Sequence, residues 1–144
     1  ESAVLVIAAT DDESLNERIF SDCREKGVLC NTVDQPELCD FFVPAAVTRG
    51  RLCIAVSTGG ACPGYAGLLR EKISDIITGK HGEFAAELES VRRDVIENTE
   101  GAERKRALLS RLCCDESFEY FIQNGPEKWR RYVGRIVTEA GVNS

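Results

Sequence analysis

Apolar and polar positions change their period at a few points along the chain, and those points divide it. AVLVIAAT (3–10) is a continuous apolar run rich in β-branched residues, as expected of a strand covered on both faces. DDES follows, with Asp11 or Asp12 placed to cap a helix. In that helix Leu15, Ile19, Phe20 and Cys23 share one face, and Gly27 ends it. VLCNTV (28–33) reads as a second short buried strand. Strand, helix and strand within about 30 residues make a parallel βαβ unit.

The period then shifts. FFVPAAV (41–47) and RLCIAVS (51–57) read as two strands joined by TRG, close enough for an antiparallel hairpin, with Pro44 placing the first at an edge or a bulge. From Pro63 the spacing is helical almost to the end. Leu68, Leu69, Ile73, Ile76 and Ile77 form one stripe, and Phe84, Leu88, Val91 and Val95 a second. Leu108, Leu109 and Leu112 mark a third, and Trp129, Val133, Ile136 and Val137 a fourth, which a Gly-Pro break in NGPEKW (124–129) sets apart. The pattern thus predicts three parts: a βαβ piece to about residue 35, a hairpin with a long helix to about 79, and a helical tail. The fold class is α/β at the front and all-α at the back.

Composition narrows the functions. With 43% hydrophobic and 29% charged residues the chain reads as a folded soluble protein, and no apolar run reaches the roughly 18–20 residues that span a bilayer. Glu1–Thr10 is apolar but lacks a basic leading region, so no secretory signal is expected. A net charge of −6 argues against a nucleic-acid partner, which calls for a concentrated basic face. The seven cysteines include no C-x-x-C pair, and the one histidine, His81, stands away from them, so reduced thiols in a cytoplasmic protein are expected and no metal site. Cys30 and Cys53, inside predicted strands, read as small hydrophobes.

STGGACPGYAGLLREKI (57–73) carries the most chemistry. G-x-x-x-x-G-K-[ST] is absent, so it is no P-loop; G-x-S-x-G is absent, so it is no nucleophile elbow, and a Cys62 nucleophile has only His81 to serve as base. Spacing alone favours a helix start, with Cys62 near the N-cap, Pro63 at the first helical position and glycines permitting close approach. G-x-G-x-x-G occurs nowhere.

The ordered blocks A-A-T-D-D (8–12), N-x-V-D (31–34), F-x-x-P-A (41–45) and S-x-G-G-x-x-P-x-x-A-x-x-L-R-E-K-I (57–73) together resemble the precorrin-2 dehydrogenase and sirohydrochlorin ferrochelatase family, which includes the N-terminal module of siroheme synthase. The resemblance covers about residues 3–78 closely and the tail in general character. It implies a Rossmann-like NAD domain, of which residues 1–35 would be the remainder, a dimerisation region of strands and a helix at 36–79, and a helical C-terminal domain at 80–144. The family's glycine-rich pyrophosphate loop and acidic ribose ligand are expected to precede residue 1. The implied activity is oxidation of the tetrapyrrole precorrin-2 to sirohydrochlorin with NAD, to which many members add insertion of ferrous iron. By position, Thr10, Asp11, Asp12 and Asn31 would bind the cofactor at the carboxyl ends of the two strands, and Asp34 would serve dehydrogenation and chelation as a general base or orienting carboxylate. Gly59, Gly60, Cys62 and Arg70 would contact substrate; Cys62 stands where several relatives have serine.

Plainer roles compete at each position. Asp34 before Gln35-Pro36 suits a turn. Arg49, Arg51, Arg70 and Lys72 could face a polycarboxylate or only solvent, and the basic run at 103–106 fits the polar side of a helix. The alternative function is a non-catalytic tetrapyrrole-binding or dimerisation module. An apolar edge strand in the hairpin calls for cover, and pairing across a two-fold axis supplies it, so a homodimer is expected.

Overall fold

The computed structural model describes residues 3–142, with side chains described through residue 138. In chain order the elements are β1 (Leu5–Ala8), α1 (Glu13–Lys26), β2 (Leu29–Thr32), a 3-10 turn (Pro36–Leu38), β3 (Ala45–Arg49), β4 (Leu52–Val56), α2 (Pro63–Ile76), α3 (Gly79–Asn98), α4 (Ala102–Leu112), α5 (Asp115–Asn124) and α6 (Pro126–Val142). Contacts gather them into two compact units, residues 1–46 with 55–72, and residues 47–54 with 73–144.

In the first unit β1 and β2 pair in parallel, Leu5 opposite Leu29 and Ala8 opposite Thr32. Asp12 caps α1 with its carboxylate, accepting from the Leu15 amide at 3.1 Å, and Gly27 ends the helix in the left-handed conformation at φ 64°. The helix presents Asn16 and Cys23, both buried, rather than the whole expected apolar face; Leu15 is exposed. Strand alternation sorts the side chains: Ala8, Cys30 and Thr32 are buried, whereas Leu5, Ile7 and Leu29 are about half exposed. The expectation of strands covered on both faces therefore fails among the described residues, because α1 supplies one layer and the opposite face has none.

The outer edge of β2 is sealed by side chains instead of a strand. Asp40 accepts from the Cys30 amide with Oδ2 (3.0 Å) and returns its own amide to the Cys30 carbonyl (2.7 Å). Asn31 donates to the Phe41 carbonyl (2.8 Å), and the Thr32 amide donates to the Cys39 sulfur (3.3 Å). Residues 39–41 thus satisfy edge groups that would otherwise invite another strand.

The hairpin starts later than its sequence suggests. Residues 41–44 are irregular and β3 begins after Pro44, whose missing N–H and fixed φ keep it out of the ladder. The turn is Gly50-Arg51 rather than Thr48–Gly50, with Gly50 at φ 61°. On β4, Cys53 is exposed on the open side of the hairpin and is not the buried hydrophobe expected. Along α2 only Ala66 is buried; Leu69 and Ile73, with Ile77 just past its end, are half-buried and Leu68 and Ile76 exposed, so its apolar stripe is only partly covered among the described residues.

In the second unit the expected stripes of α3, α4 and α6 meet in one core of Phe84, Val91, Val95, Leu108, Leu112, Phe121, Trp129, Val133 and Ile136. Phe84 meets Trp129 edge-on at 5.3 Å, and the fully buried indole donates to Ser117 Oγ at 2.9 Å. Ser117 and Phe121 belong to α5, a helix without a stripe in the sequence reading. Arg49, a candidate substrate contact, instead donates to the Ile77 carbonyl (2.9 Å) and Ser74 Oγ (2.8 Å), closing the end of α2. A Cβ on Gly82 would strike the Arg49 backbone, which explains glycine inside α3.

Candidate functional site

One cleft of about 520 Å³ lies wholly within the first unit. Its walls come from the end of β2 and the loop after it, from Phe42–Ala45, from the end of β4 with Ser57 and Thr58, and from Gly60 with the start of α2. The carboxyl edge of a parallel sheet is where ligands bind in such folds, because the loops diverge there and backbone groups are left to them.

Asp34 sits on the rim, exposed, at φ 63°, the one non-glycine residue with positive φ among the described residues. The conformation costs an L-residue about 1–2 kcal/mol, and Asp tolerates it better than most. The turn that imposes it is closed by the Gln35 amide donating to the Thr32 carbonyl (3.3 Å), with Asp34 at the third position. The turn role weighed for Asp34 is thus real. A carboxylate in a strained backbone at a cleft is also the arrangement expected of a working residue. Gln35 beside it carries a buried Oε1 that has no hydrogen-bond partner.

Asn31 lines the same cleft, with its amide orientation set by its partners. Nδ2 donates to the Phe41 carbonyl (2.8 Å) and the Cys39 sulfur (3.4 Å), so Oδ1 is the end left for a ligand donor such as a hydroxyl or an amide. Thr10, Asp11 and Asp12 are outside the lining, at the other strand's carboxyl end. Thr10 Oγ1 donates to Asn16 Oδ1 (2.8 Å), and Asn16 Nδ2 returns to the Thr10 carbonyl (3.0 Å), so a buried asparagine organises the β1–α1 bend. Asp12 is held below the usual carboxylate range, first by the Ser14 hydroxyl and then by the Leu15 amide. That carboxylate sits over the N-terminus of α1 and offsets the positive end of the helix dipole there.

The twin-glycine bend lies on the opposite wall. Gly59 and Gly60 take φ 62° and 83°, and a Cβ on Gly60 would enter the Phe42 ring. The Gly59 amide donates to Ser57 Oγ (3.1 Å), the Ala61 amide to the Thr58 carbonyl (3.1 Å), and the Cys62 amide to Thr58 Oγ1 (3.0 Å). These donors are used inside the bend, so it shapes the wall and is no open cradle of amides. The Cys62 carbonyl accepts the first bonds of α2, from Tyr65 (3.1 Å) and Ala66 (3.2 Å), as a helix start requires. Cys62 is exposed and, like Gly59 and Arg70, outside the lining; Arg70 pairs with Glu71 at 3.1 Å. His81 Nδ1 accepts from the Thr78 amide (3.1 Å) and its ring lies on Phe118 (4.4 Å), a capping role. Burial pushes the Cys30 thiol up, which leaves it an inert core group.

Of the residues singled out from sequence, the structure brings Asn31, Asp34 and Gly60 to one cleft. Sequence reasoning missed Thr58, Phe42, Gln35 and Cys39. A hydroxyl residue just ahead of a glycine pair is a detectable turn signal, but a lone cysteine after a proline turn carries none.

A parallel βαβ piece whose carboxyl edge faces a glycine bend across a cleft defines a Rossmann-related ligand-binding fold. Residues 1–45 match a family model described as NAD(P)-binding, and residues 49–76 match the central region of sirohaem biosynthesis proteins. The whole chain is 38% identical to a siroheme synthase of Thioalkalivibrio sulfidiphilus, covering 29% of that protein. Over 93 residues it is 46% identical to a siroheme synthase of Nitrosococcus oceani, covering 62% of this chain and 20% of that protein. A solved structure of SirC, a precorrin-2 dehydrogenase, superposes with a TM-score of 0.64 over 92% of this chain and 63% of that one at 21% identity, a likeness of fold. The chain is similar to these siroheme synthases and spans less than a third of their length. No helix among the described residues is long and apolar enough to cross a membrane.

Proposed function

We propose that the chain is part of an NAD-dependent enzyme that oxidises precorrin-2 to sirohydrochlorin, with Asp34 as its working carboxylate. The observation that carries this is the placement of Asp34, Asn31 and Gly60 on one cleft, within the stretches matched by the two family models. The oxidation removes two electrons and a proton as hydride, and a second proton from the macrocycle. NAD, when bound, supplies the hydride acceptor. Asp34 receives the proton on its carboxylate, which solvent at the rim then carries away.

The residues fit a cofactor at this edge in part. Asn31 Oδ1 accepts a ligand hydroxyl or amide, and Thr10 and Asp11 present groups at the neighbouring strand end, whereas Asp12 positions the bend. The Asp12 carboxylate, held by Ser14 and Leu15 at the N-terminus of α1, would repel a phosphate placed there. On the opposite wall the absent side chain of Gly60 makes room for the Phe42 ring, whose apolar face suits a flat macrocycle, and the positive end of α2 at Pro63 suits its carboxylates. Gly59 and Cys62 support that bend from behind, and Arg70 adds a cation further along α2. Ferrous iron enters as a second substrate: its insertion displaces two pyrrole protons, which the same carboxylate accepts in turn.

The test is Asp34→Asn in the full-length protein, assayed for NADH formation from precorrin-2. The substitution keeps shape and removes the base, so the rate is expected to fall at least about a hundredfold with the melting temperature retained. An unchanged rate removes Asp34 from the chemistry. No turnover by the wild type, with sirohydrochlorin still bound, makes the chain part of a non-catalytic tetrapyrrole-binding module.

A further inference from the structure

We propose that Cys39 is a positioning residue whose sulfur holds the Asp34 turn and the Asn31 amide in place; the assignment rests on the cleft having the function just described. One side chain meets both groups. Sγ accepts from the Thr32 amide at 3.3 Å and from Asn31 Nδ2 at 3.4 Å. Its S–H faces the Thr32 carbonyl at 3.2 Å and the Gln35 carbonyl at 3.3 Å, and the one proton is shared between them. Thr32 and Gln35 are the two residues that bracket Val33-Asp34, so the thiol clasps the ends of the turn that forces Asp34 to positive φ.

The chemistry of sulfur suits the task. Its bonds are longer and its lone pairs more diffuse than those of oxygen, so it meets several partners at 3.2–3.4 Å. An oxygen prefers shorter contacts, near 2.7–3.0 Å, and from the same Cβ reaches fewer of these groups. The neighbouring anchors do not depend on the thiol. Asp40 binds Cys30 in both directions and Phe41 receives Asn31, so residues 40–41 stay on β2 when the sulfur is removed. The consequence of losing it is confined to the turn: the Thr32 amide loses its partner, the Asn31 amide keeps one of two, and Asp34 relaxes toward an ordinary backbone. Cys39 lines the cleft as well, so this release happens where the ligand lies.

The experiment compares Cys39→Ala and Cys39→Ser with the wild-type full-length protein by NADH formation from precorrin-2 and by amide hydrogen exchange at Thr32 and Gln35. Cys39→Ala is expected to unfold cooperatively, to lose ten- to a hundredfold in kcat, and to exchange the Thr32 and Gln35 amides at least tenfold faster. Cys39→Ser, whose hydroxyl still reaches the Thr32 amide, is expected to recover part of both. A Cys39→Ala protein with wild-type kcat and wild-type exchange overturns the assignment, as does an equal loss in the Ser and Ala variants. If the wild type itself does not oxidise precorrin-2, the functional reading falls, and exchange at Thr32 and Gln35 alone decides whether the sulfur holds the turn.

Discussion

Asp34 carries two roles that separate by substitution. Its backbone is strained and its carboxylate is on the cleft rim, so the residue best for the turn differs from the residue best for the chemistry. Asp34→Gly relieves the left-handed backbone and is expected to leave stability unchanged or raise it by about 0.5–1 kcal/mol, read as a higher urea midpoint, while precorrin-2 oxidation is lost. A marked fall in stability would show that the side chain holds the turn and would weaken the case for strain kept for function. Sequence reasoning reached this residue through a motif; it could not reach the positive φ, which the Thr32–Gln35 closure and the Cys39 contacts impose from outside the local pattern.

At the scale of elements, α1 shows one carboxylate, for which a ligand role is expected from the resemblance, serving as a helix cap. Asp12 is depressed by the Ser14 hydroxyl and the Leu15 amide, so its stabilising effect is present above its ordinary value of 3.8 and is lost as pH falls through the lower folded value. Urea midpoints of the wild type and Asp12→Asn are expected to differ most at about pH 6 and to converge on acidification below the carboxylate range. A constant difference would deny the cap its charge. The helix itself was legible, with Asp12 and Gly27 marking its ends, as were α3, α4, α6 and the parallel pairing of the first two strands. What was not legible has a physical pattern. Phe41–Val43 reads as strand by composition, but Pro44 delays the ladder. Asn16 is buried because it bridges Thr10 in both directions, an arrangement invisible to apolar periodicity. The helix α5 lies hidden in a short stretch whose buried members include a serine, held there by the Trp129 indole.

At the scale of the whole molecule, exposed apolar surface asks for a partner. Tyr65, Leu68 and Ile76 lie at helical spacing along α2 and are 54%, 44% and 69% exposed, and the open side of the hairpin carries small residues, Ala46, Thr48, Cys53 and Ala55. A second copy of the chain covers such a stripe symmetrically, so light scattering is expected to show a homodimer at micromolar concentration. Leu68→Glu, which sets like charges against each other across that contact, is expected to shift it to monomer. A stable wild-type monomer would contradict this. The sequence pointed to pairing through the hairpin edge and, by resemblance, to a dimerisation region of strands and a helix; the exposed residues of α2 lie within that region.

The most direct measurement is diffraction from crystals of the full-length protein grown with sirohydrochlorin. The macrocycle is expected between the two walls, packed near Gly60 and Phe42, with its ring nitrogens facing the Asp34 carboxylate. Density for the tetrapyrrole elsewhere on the protein, with the Asp34 cleft holding only solvent, would contradict the account.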